Sequence, residues 1–356
     1  MKHLIKNKKT AVSVLVFLIA AGALLGYLTS IFDLNDDKHA ERTFASFYSL
    51  EKNSLDGIYL GSSAAYRYWI PTQAYTRYGM KIFNLSTGSQ PVVLQKYLIK
   101  EALESQPDMK VIVIDIRSII AADKKLKESD IRRVTDSMPM SANRIRAINA
   151  ALKYFKQEGA DISYSKRNYY FSYLLYHNRW ADDFSVSDLN PVDKKNPYMG
   201  FIYTSGSSQS DTLTPPEYTS ETSGLDSAKT AVLKDLLAYC KTLKQKVIFV
   251  SSPYQISSAD QKDLNTCEKM IEKSGFTFLD FNTKTLSDKM NLNWTTDFLD
   301  SKHVNYSGAE KFTAYMSAYL NKQITFDKQT SSASAKEWKQ AAKRLDRAVS
   351  DSQQLQ

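Results

Sequence analysis

The sequence predicts an α/β fold in which a parallel β-sheet is covered by helices on both faces. Of its 356 residues, 43% are hydrophobic and 24% are charged, which is typical of a folded chain. Gly and Pro are few, whereas Tyr (22) and Phe (16) are plentiful, so a large core can form. Short apolar segments alternate with longer segments of helical periodicity, and this alternation indicates βαβ units.

The first predicted element is an apolar helix at residues 10–32. It carries no charge and follows a leader, residues 1–9, that contains four lysines. Its length suits a bilayer, and the positive-inside bias places the leader in the cytoplasm and the remaining chain outside the cell membrane. We expect an uncleaved single-pass anchor. A cleaved signal peptide is the alternative, because residues 20–23 are small. A buried core helix would show a polar face, and this segment has none.

A polar stalk is expected at residues 33–54, and the α/β domain at residues 55–325. The predicted strands, in chain order, are 55–60, 81–85, 111–114, 247–250 and 276–279. The predicted helices are one that begins at Ala64, then 91–105, 225–242 and 259–273, and a last one after His303. Strands separated by helices of this length pair in parallel.

Two further segments depart from this alternation. Residues 120–221 interrupt it, and because it resumes afterwards we expect an inserted cap over the active face rather than a second domain. Within the cap, tyrosines such as Tyr198 could stack on sugar rings, although such residues more often belong to a core. Residues 326–356 form a Ser-, Gln- and Lys-rich tail that we expect to be loosely held.

Charge and cysteine content exclude some partners. The net charge is +9, but the excess is spread along the chain without an Arg-rich patch, and with export this argues against nucleic acid. A cationic exported domain is compatible with a polyanionic cell envelope. Cys240 and Cys267 could form a disulfide or remain free thiols. No histidine lies near either cysteine in sequence, so we predict no metal site and no cofactor.

Histidine is rare enough to be assigned by elimination. Two of the four histidines lie in the leader and the stalk, which leaves His177 and His303 for chemistry in the domain. His303 precedes a helix for which Ser307 and Glu310 predict a capping box. Asp300 lies three residues before His303, so its carboxylate can turn back onto the ring and fix the tautomer whose other nitrogen acts as a base.

The segment Asp300-x-x-His303-x-Asn305-x-x-Gly308, together with Gly61-Ser62-Ser63 after the first strand, resembles the SGNH/GDSL hydrolase superfamily. The resemblance implies a flavodoxin-like three-layer α/β/α sandwich. It also implies that Ser63 is the nucleophile, His303 the base and Asp300 the residue that orients it. Gly-Ser-Ser alone is a common turn. With the aspartate–histidine pair in one α/β chain, all three side chains are expected at the carboxyl edge of one sheet.

Two further blocks of the superfamily bear on the oxyanion hole. The segment from Asn84 to Gln90 resembles the second block, which implies a backbone N–H donor at Gly88. After the third strand the superfamily usually has Gly-x-Asn-Asp, whereas this chain has Asp115-Ile-Arg117-Ser118. Arg117 could donate instead of the missing Asn, or the hole could rest on the backbone amides of Ser63 and Gly88 alone. In the second case Arg117 could face the surface or pair with Asp115. A missing donor costs about 10²–10³ in rate.

The Gly-Ser-Ser variant of the first block resembles that of membrane-anchored proteins of teichoic-acid D-alanylation and of exopolysaccharide O-acyltransfer. We therefore expect a membrane-anchored extracytoplasmic serine acyl esterase or acyltransferase that acts on a cell-envelope glycan or teichoic acid, together with a membrane-bound O-acyltransferase. His177 and Asn305 are candidate substrate contacts, although a packed histidine is the alternative for His177. Hydrolysis and transfer share an acyl-enzyme, so the sequence leaves both open. The alternative function is a catalytically weak adaptor that assists a membrane-bound acyltransferase.

Overall fold

A computed structural model describes most of the chain, in the ranges 8–32, 38–120, 126–163, 165–176, 195–206, 213–326 and 333–354. The helices are α1 Lys8–Phe32, α2 Lys38–Ser49, α3 Ser63–Tyr66, α4 Pro71–Tyr78, α5 Val92–Ser105, α6 Glu128–Thr135, α7 Ala142–Gln157, α8 Lys166–Tyr170, α9 Tyr173–Tyr176, α10 Ser227–Cys240, α11 Ser258–Lys273, α12 Lys284–Met290, α13 Tyr306–Gln323 and α14 Ala333–Gln354. The strands are β1 Gly57–Leu60, β2 Ile82–Asn84, β3 Val111–Asp115, β4 Lys246–Ser251, β5 Thr277–Asp280, β6 Phe298–Asp300 and β7 His303–Val304.

The chain divides into two compact units. The smaller unit contains Met1–Asn35 and Ser163–Asp193, and the larger contains Asp36–Ile162 and Lys194–Gln356. In the smaller unit, α1 is long and apolar enough between Thr10 and Leu28 to cross a membrane, and its side chains there are not buried. The predicted apolar helix is therefore confirmed, while its orientation and retention stay predictions.

In the larger unit, five strands form one parallel sheet in the order β2-β1-β3-β4-β5. This is the strand order of flavodoxin-like doubly wound sheets. The strands β1 to β4 are rich in Val and Ile and are buried almost throughout, as expected for a parallel sheet covered on both faces. The α/β prediction and all five predicted strands are confirmed within about two residues, the usual uncertainty of element ends.

One face of the sheet is covered by α4 and α13, and α14 packs on α4. Tyr59 and Val113 from the strands join Trp69 and Phe312 in one hydrophobic cluster, and Leu345 of α14 belongs to it as well. The prediction of a loosely held tail is wrong for residues 333–354. Trp338 is fully buried against Tyr75, with ring centroids 5.5 Å apart, because the helix presents an apolar stripe among its polar residues.

The block predicted as a cap is partly built into the larger unit. Helix α7 packs along α5. The segment that follows Lys195 runs beside β2, where the amide of Asn84 donates to the carbonyl of Met199 at 3.1 Å. Gly200 has φ +88°, and a Cβ there would collide with the carbonyl of Asn84. A cap over the active face stays a prediction for the rest of the block.

The two cysteines are free thiols. Cys240 and Cys267 are both buried, and no disulfide joins them. Burial raises the pKa of each thiol to about 12, so neither is a reactive thiolate at neutral pH.

Candidate active site

Ser63 lies directly beyond the carboxyl end of β1. Gly61 makes the turn out of the strand, and a Cβ there would lie 2.8 Å from the Cβ of Asp115 and 2.9 Å from that of Ala65. Ser62 caps α3, and Ser63 is its first residue. The close approach that glycine allows therefore sets the position of the serine hydroxyl at the edge of the sheet.

His303 begins β7 of a two-stranded hairpin, and Asp300 ends β6. Nε2 of His303 lies 2.7 Å from Oγ of Ser63. Nδ1 lies 3.0 Å from both carboxylate oxygens of Asp300. When Nδ1 carries the proton and donates to Asp300, Nε2 is left to accept the hydroxyl proton of Ser63. The structure thus brings together the three residues that the sequence predicted as a triad.

The environment keeps Asp300 ionised and His303 neutral. Burial alone would raise the pKa of Asp300, but the hydrogen bond and charge of His303 and two backbone amides lower it to about 2. Burial lowers the pKa of His303 below its ordinary value. The guanidinium groups of Arg117 and Arg67 lower it further, whereas Asp300 raises it. A neutral imidazole at neutral pH is the form that can act as a base.

The side chains of Arg117 and Tyr68 contact the hairpin at the carbonyl of Lys302. Nη2 of Arg117 donates to the carbonyl of Lys302 at 2.8 Å, and Nη1 donates to the Tyr68 hydroxyl at 3.2 Å. The single proton of the Tyr68 hydroxyl can be donated to the carbonyl of Pro253 at 2.8 Å or to that of Lys302 at 2.9 Å. The guanidinium stacks over Tyr254, 4.5 Å from the ring centroid. Both side chains therefore fix the residue that immediately precedes His303.

Arg117 is buried, so the surface-facing alternative is wrong. Asp115 accepts from the backbone amide of Arg117 at 2.8 Å, and its other oxygen accepts from the amide of Ser252 at 3.1 Å. Burial alone would lower the pKa of Arg117, but interactions with Tyr68 and Asp115 raise it above its ordinary value. The guanidinium donates to Tyr68 and to the carbonyl of Lys302, the residue before His303. A role of Arg117 as an oxyanion donor stays a prediction.

Gly88 lies in the loop after β2. Strand β2 is the neighbour of β1 in the sheet, and the turn that carries Ser63 follows β1. Gln90 joins the two: its side-chain oxygen accepts from the amide of Gly61 at 3.1 Å, and its side-chain nitrogen donates to the carbonyl of Leu85 at 3.3 Å. Ser118 in turn donates to the carbonyl of Gln90 at 2.8 Å. The loop is thus tied to the nucleophile turn, and the oxyanion role of Gly88 stays a prediction.

Asn305 has a structural function in the described geometry. Its Oδ1 accepts from the amide of Gly308 at 3.2 Å and caps α13, and its Nδ2 donates to the carbonyl of Thr296 at 2.7 Å. The predicted cap at Ser307 is therefore wrong, because Asn305 reaches the orphan amide and Ser307 bonds to Asp297. These contacts lend no support to a substrate contact by Asn305. His177, the other candidate, lies outside the described residues.

Sequence reasoning missed Arg67 and Tyr68. Arg67 follows Ser63 by four residues, about one helical turn, and this spacing was the available signal for it, whereas no such spacing indicated Tyr68. Nη1 of Arg67 donates to Oγ1 of Thr204 at 2.7 Å. The segment around Thr204 also meets α13, since its carbonyl accepts from the amide of Tyr306 at 3.2 Å. Arg67 is therefore held between the serine helix and the helix that follows His303.

A metal centre finds no support in the residues that the structure describes. Among them, no three His, Cys, Asp or Glu side chains are grouped to hold an ion. Both ring nitrogens of His303 already have partners.

Two comparisons with known proteins gave no match. No model of a known protein family matches the chain, and no curated protein matches it either. The resemblance to the SGNH/GDSL superfamily therefore rests on the motif residues.

Proposed function

We propose that this protein is a membrane-anchored extracytoplasmic serine acyl esterase or acyltransferase that acts on a cell-envelope polysaccharide. The observation that carries the proposal is the hydrogen-bonded series from Ser63 through His303 to Asp300. A hydroxyl, an imidazole and a carboxylate in this order are the requirements of nucleophilic acyl transfer. The resemblance of the motifs to SGNH/GDSL hydrolases supports the same reaction.

In the first half-reaction, Oγ of Ser63 attacks the ester carbonyl while Nε2 of His303 takes its proton. The imidazolium that forms is stabilised by Asp300, which remains ionised. His303 then returns the proton to the leaving alcohol, and the acyl group remains on Ser63. In the second half-reaction His303 deprotonates water or a sugar hydroxyl, whose oxygen attacks the acyl carbon. The bond between the acyl carbon and Oγ of Ser63 breaks, and His303 returns the proton to Oγ. Water gives hydrolysis and a sugar hydroxyl gives transfer.

The oxyanion that forms at the carbonyl needs donors. We propose backbone amides at Ser63 and Gly88, with Gln90 holding the two loops together. Each such donor contributes about 10²–10³ to the rate of related reactions.

The location outside the membrane is proposed from α1 and the lysines before it. An apolar helix of this length favours an anchor, and the basic leader favours a cytoplasmic N-terminus. The acyl acceptor would then be a glycan or teichoic acid of the envelope, and a membrane-bound O-acyltransferase is the proposed acyl supplier.

A fluorophosphonate probe on the purified full-length protein in detergent tests the proposed function. Such probes react with an activated serine, so we expect labelling at Ser63 and its loss in Ser63→Ala and His303→Ala. Ser62→Ala is the matched control, because it alters the neighbouring hydroxyl, and it should keep most of the labelling. Labelling that survives Ser63→Ala but is lost in Ser62→Ala would mean that the wrong serine was chosen.

A second candidate function is a non-catalytic adaptor that presents the polymer to a membrane-bound acyltransferase. One observation favours it: the guanidinium of Arg117, at the position of the usual oxyanion Asn, bonds to the Lys302 carbonyl and Tyr68. A hole that lacks this donor would be weak. An unlabelled wild-type protein that is folded and still supports acylation of the polymer would favour the adaptor.

A further inference from the structure

Arg67 carries a positive charge near the proposed base His303, and no bond of the proposed acyl transfer forms or breaks on it. Its backbone amide donates to the carbonyl of Ser63 at 3.2 Å, one turn after the nucleophile. Its side chain is half-buried and is held by Thr204 at 2.7 Å. Arg67 is close enough to His303 for its charge to lower the pKa of the imidazole.

The direction of the Arg67 side chain is fixed by the segment that carries Thr204. The amide of Ile202 donates to the carbonyl of Tyr66 at 2.9 Å, and the amide of Tyr306 donates to the carbonyl of Thr204 at 3.2 Å. This segment therefore bridges the end of α3 and the start of α13. The guanidinium is positioned in advance, which reduces the entropy lost when it binds a partner.

A cation at this place opposes the reaction unless something neutralises it. His303 becomes an imidazolium when it takes the proton of Ser63, and a nearby guanidinium repels that charge. Arg117 also faces His303, but Asp115 attracts its charge. For Arg67, no carboxylate of the described residues lies within ion-pair distance, and its Nε has no hydrogen-bond acceptor among them.

We propose that Arg67 is the binding site for an anionic group of the substrate, a phosphate or a carboxylate carried close to the ester or to the accepting hydroxyl. A guanidinium binds either group through charge-assisted hydrogen bonds. The bound anion would offset the repulsion felt by the imidazolium and would select anionic glycans over neutral ones. This inference rests on the proposed function, because it assigns the substrate class of the same site.

The test compares matched esters on the full-length protein in detergent. The phosphate pair is acetylated glycerol phosphate against acetylated glycerol, and the carboxylate pair is acetylated galacturonic acid against acetylated galactose. The readout is the ratio of kcat/KM for the anionic ester to that for its neutral partner. We expect a wild-type ratio above one, and the pair with the larger ratio identifies the anionic group.

Arg67→Gln should lower this ratio by about 10- to 100-fold, the range of a charge-assisted hydrogen bond. Arg67→Lys should retain part of the preference, because the charge remains without the planar fork. Arg77→Gln is the matched control, since Arg77 is an exposed arginine of α4 over the ring of Tyr78, and its ratio should equal that of the wild type. A ratio unchanged by Arg67→Gln would overturn the inference.

Binding without turnover separates this inference from the proposed function. Calorimetry measures binding of glycerol phosphate and galacturonate to Ser63→Ala and to Ser63→Ala with Arg67→Gln, with melting temperatures to show that both are folded. Binding of either anion that is lost with Arg67→Gln supports the anion site even if no ester is hydrolysed. The absence of binding to Ser63→Ala, or binding that Arg67→Gln does not weaken, contradicts it.

Discussion

The two residues of the proposed catalytic pair, Ser63 and His303, lie in different surroundings. Ser63 follows a buried central strand, and its turn is packed so closely that Gly61 leaves no room for a Cβ. His303 lies on a short hairpin whose Asp300 side chain is 48% exposed. The side chains of Arg117 and Tyr68 contact the carbonyl of Lys302 in that hairpin, and one backbone bond, from the amide of Gln255 to the carbonyl of Ser301 at 2.9 Å, joins it to the loop after β4.

The difference indicates that the two halves respond differently to substitution. The position of the nucleophile is part of the fold, so a change there should cost stability and activity together. The position of the base depends on a few hydrogen bonds, so a change there should lower activity more than stability.

The largest effect is expected on the nucleophile side, from Gly61→Ala. The added Cβ would press on Asp115 and Ala65 at less than 3 Å, so the turn must shift. We expect the free energy of unfolding to fall by about 1–3 kcal/mol and fluorophosphonate labelling to be lost. Gly224→Ala is the control, because a Cβ there meets nothing within 4 Å. Normal labelling and stability of Gly61→Ala would contradict the claim that close packing at Gly61 sets the position of Ser63.

On the base side, Asp300→Asn should lower the labelling rate by about 10⁴-fold, because the amide can hold the ring in the wrong tautomer. The wild-type rate should rise with pH as His303 loses its proton. Asp300 raises the pKa of His303, so its removal should move the midpoint of this profile to lower pH. The labelling rate measured against pH checks both. A midpoint that moves to higher pH would contradict the assignment.

A smaller effect is expected from Arg117→Met, which removes the clamp on Lys302. Since a misplaced base lowers the rate, we expect a decrease of about 10- to 100-fold. The guanidinium lowers the pKa of His303, so the midpoint of the pH profile should move up, opposite to Asp300→Asn. Arg117→Lys should recover little, because an ammonium cannot reach the carbonyl and Tyr68 in the same geometry.

Arg144→Met is the matched control for Arg117. The two arginines are equally buried, with 7% and 8% of their surface exposed, but Arg144 pairs with Asp136 at 3.3 Å in a different part of the unit. We expect melting temperatures to fall in both variants and labelling to fall strongly in Arg117→Met alone. Equal losses of labelling would mean that Arg117 acts through stability.

The strands and the Asp300–His303 pair could be predicted because their signals are local, whereas Ser63, 240 residues from His303, was assigned through the resemblance to the SGNH/GDSL superfamily. Runs of Val and Ile predict buried strands, and Asp300 and His303 are neighbours on one loop. The contacts of Arg117 could not be predicted, because Tyr68 is 49 residues away in the chain and Lys302 is 185 away. Such pairs meet only once the strand order is known.

Two other differences have local causes. Asn305 and Ser307 are both good N-cap residues, and the choice between them depends on which side chain reaches a free amide. The polar composition of the tail concealed the apolar stripe of α14, in which Trp338 and Leu345 bury their side chains.

The central claim is that Ser63 carries the acyl group. Its most direct test is brief incubation of the full-length protein with p-nitrophenyl acetate, followed by acid quenching and mass-spectrometric mapping of the acetylated peptide. We expect one acetyl group on Ser63, absent from Ser63→Ala and much reduced in His303→Ala. Acetylation at another residue, or equal acetylation of Ser63 in the wild type and in His303→Ala, would contradict the account.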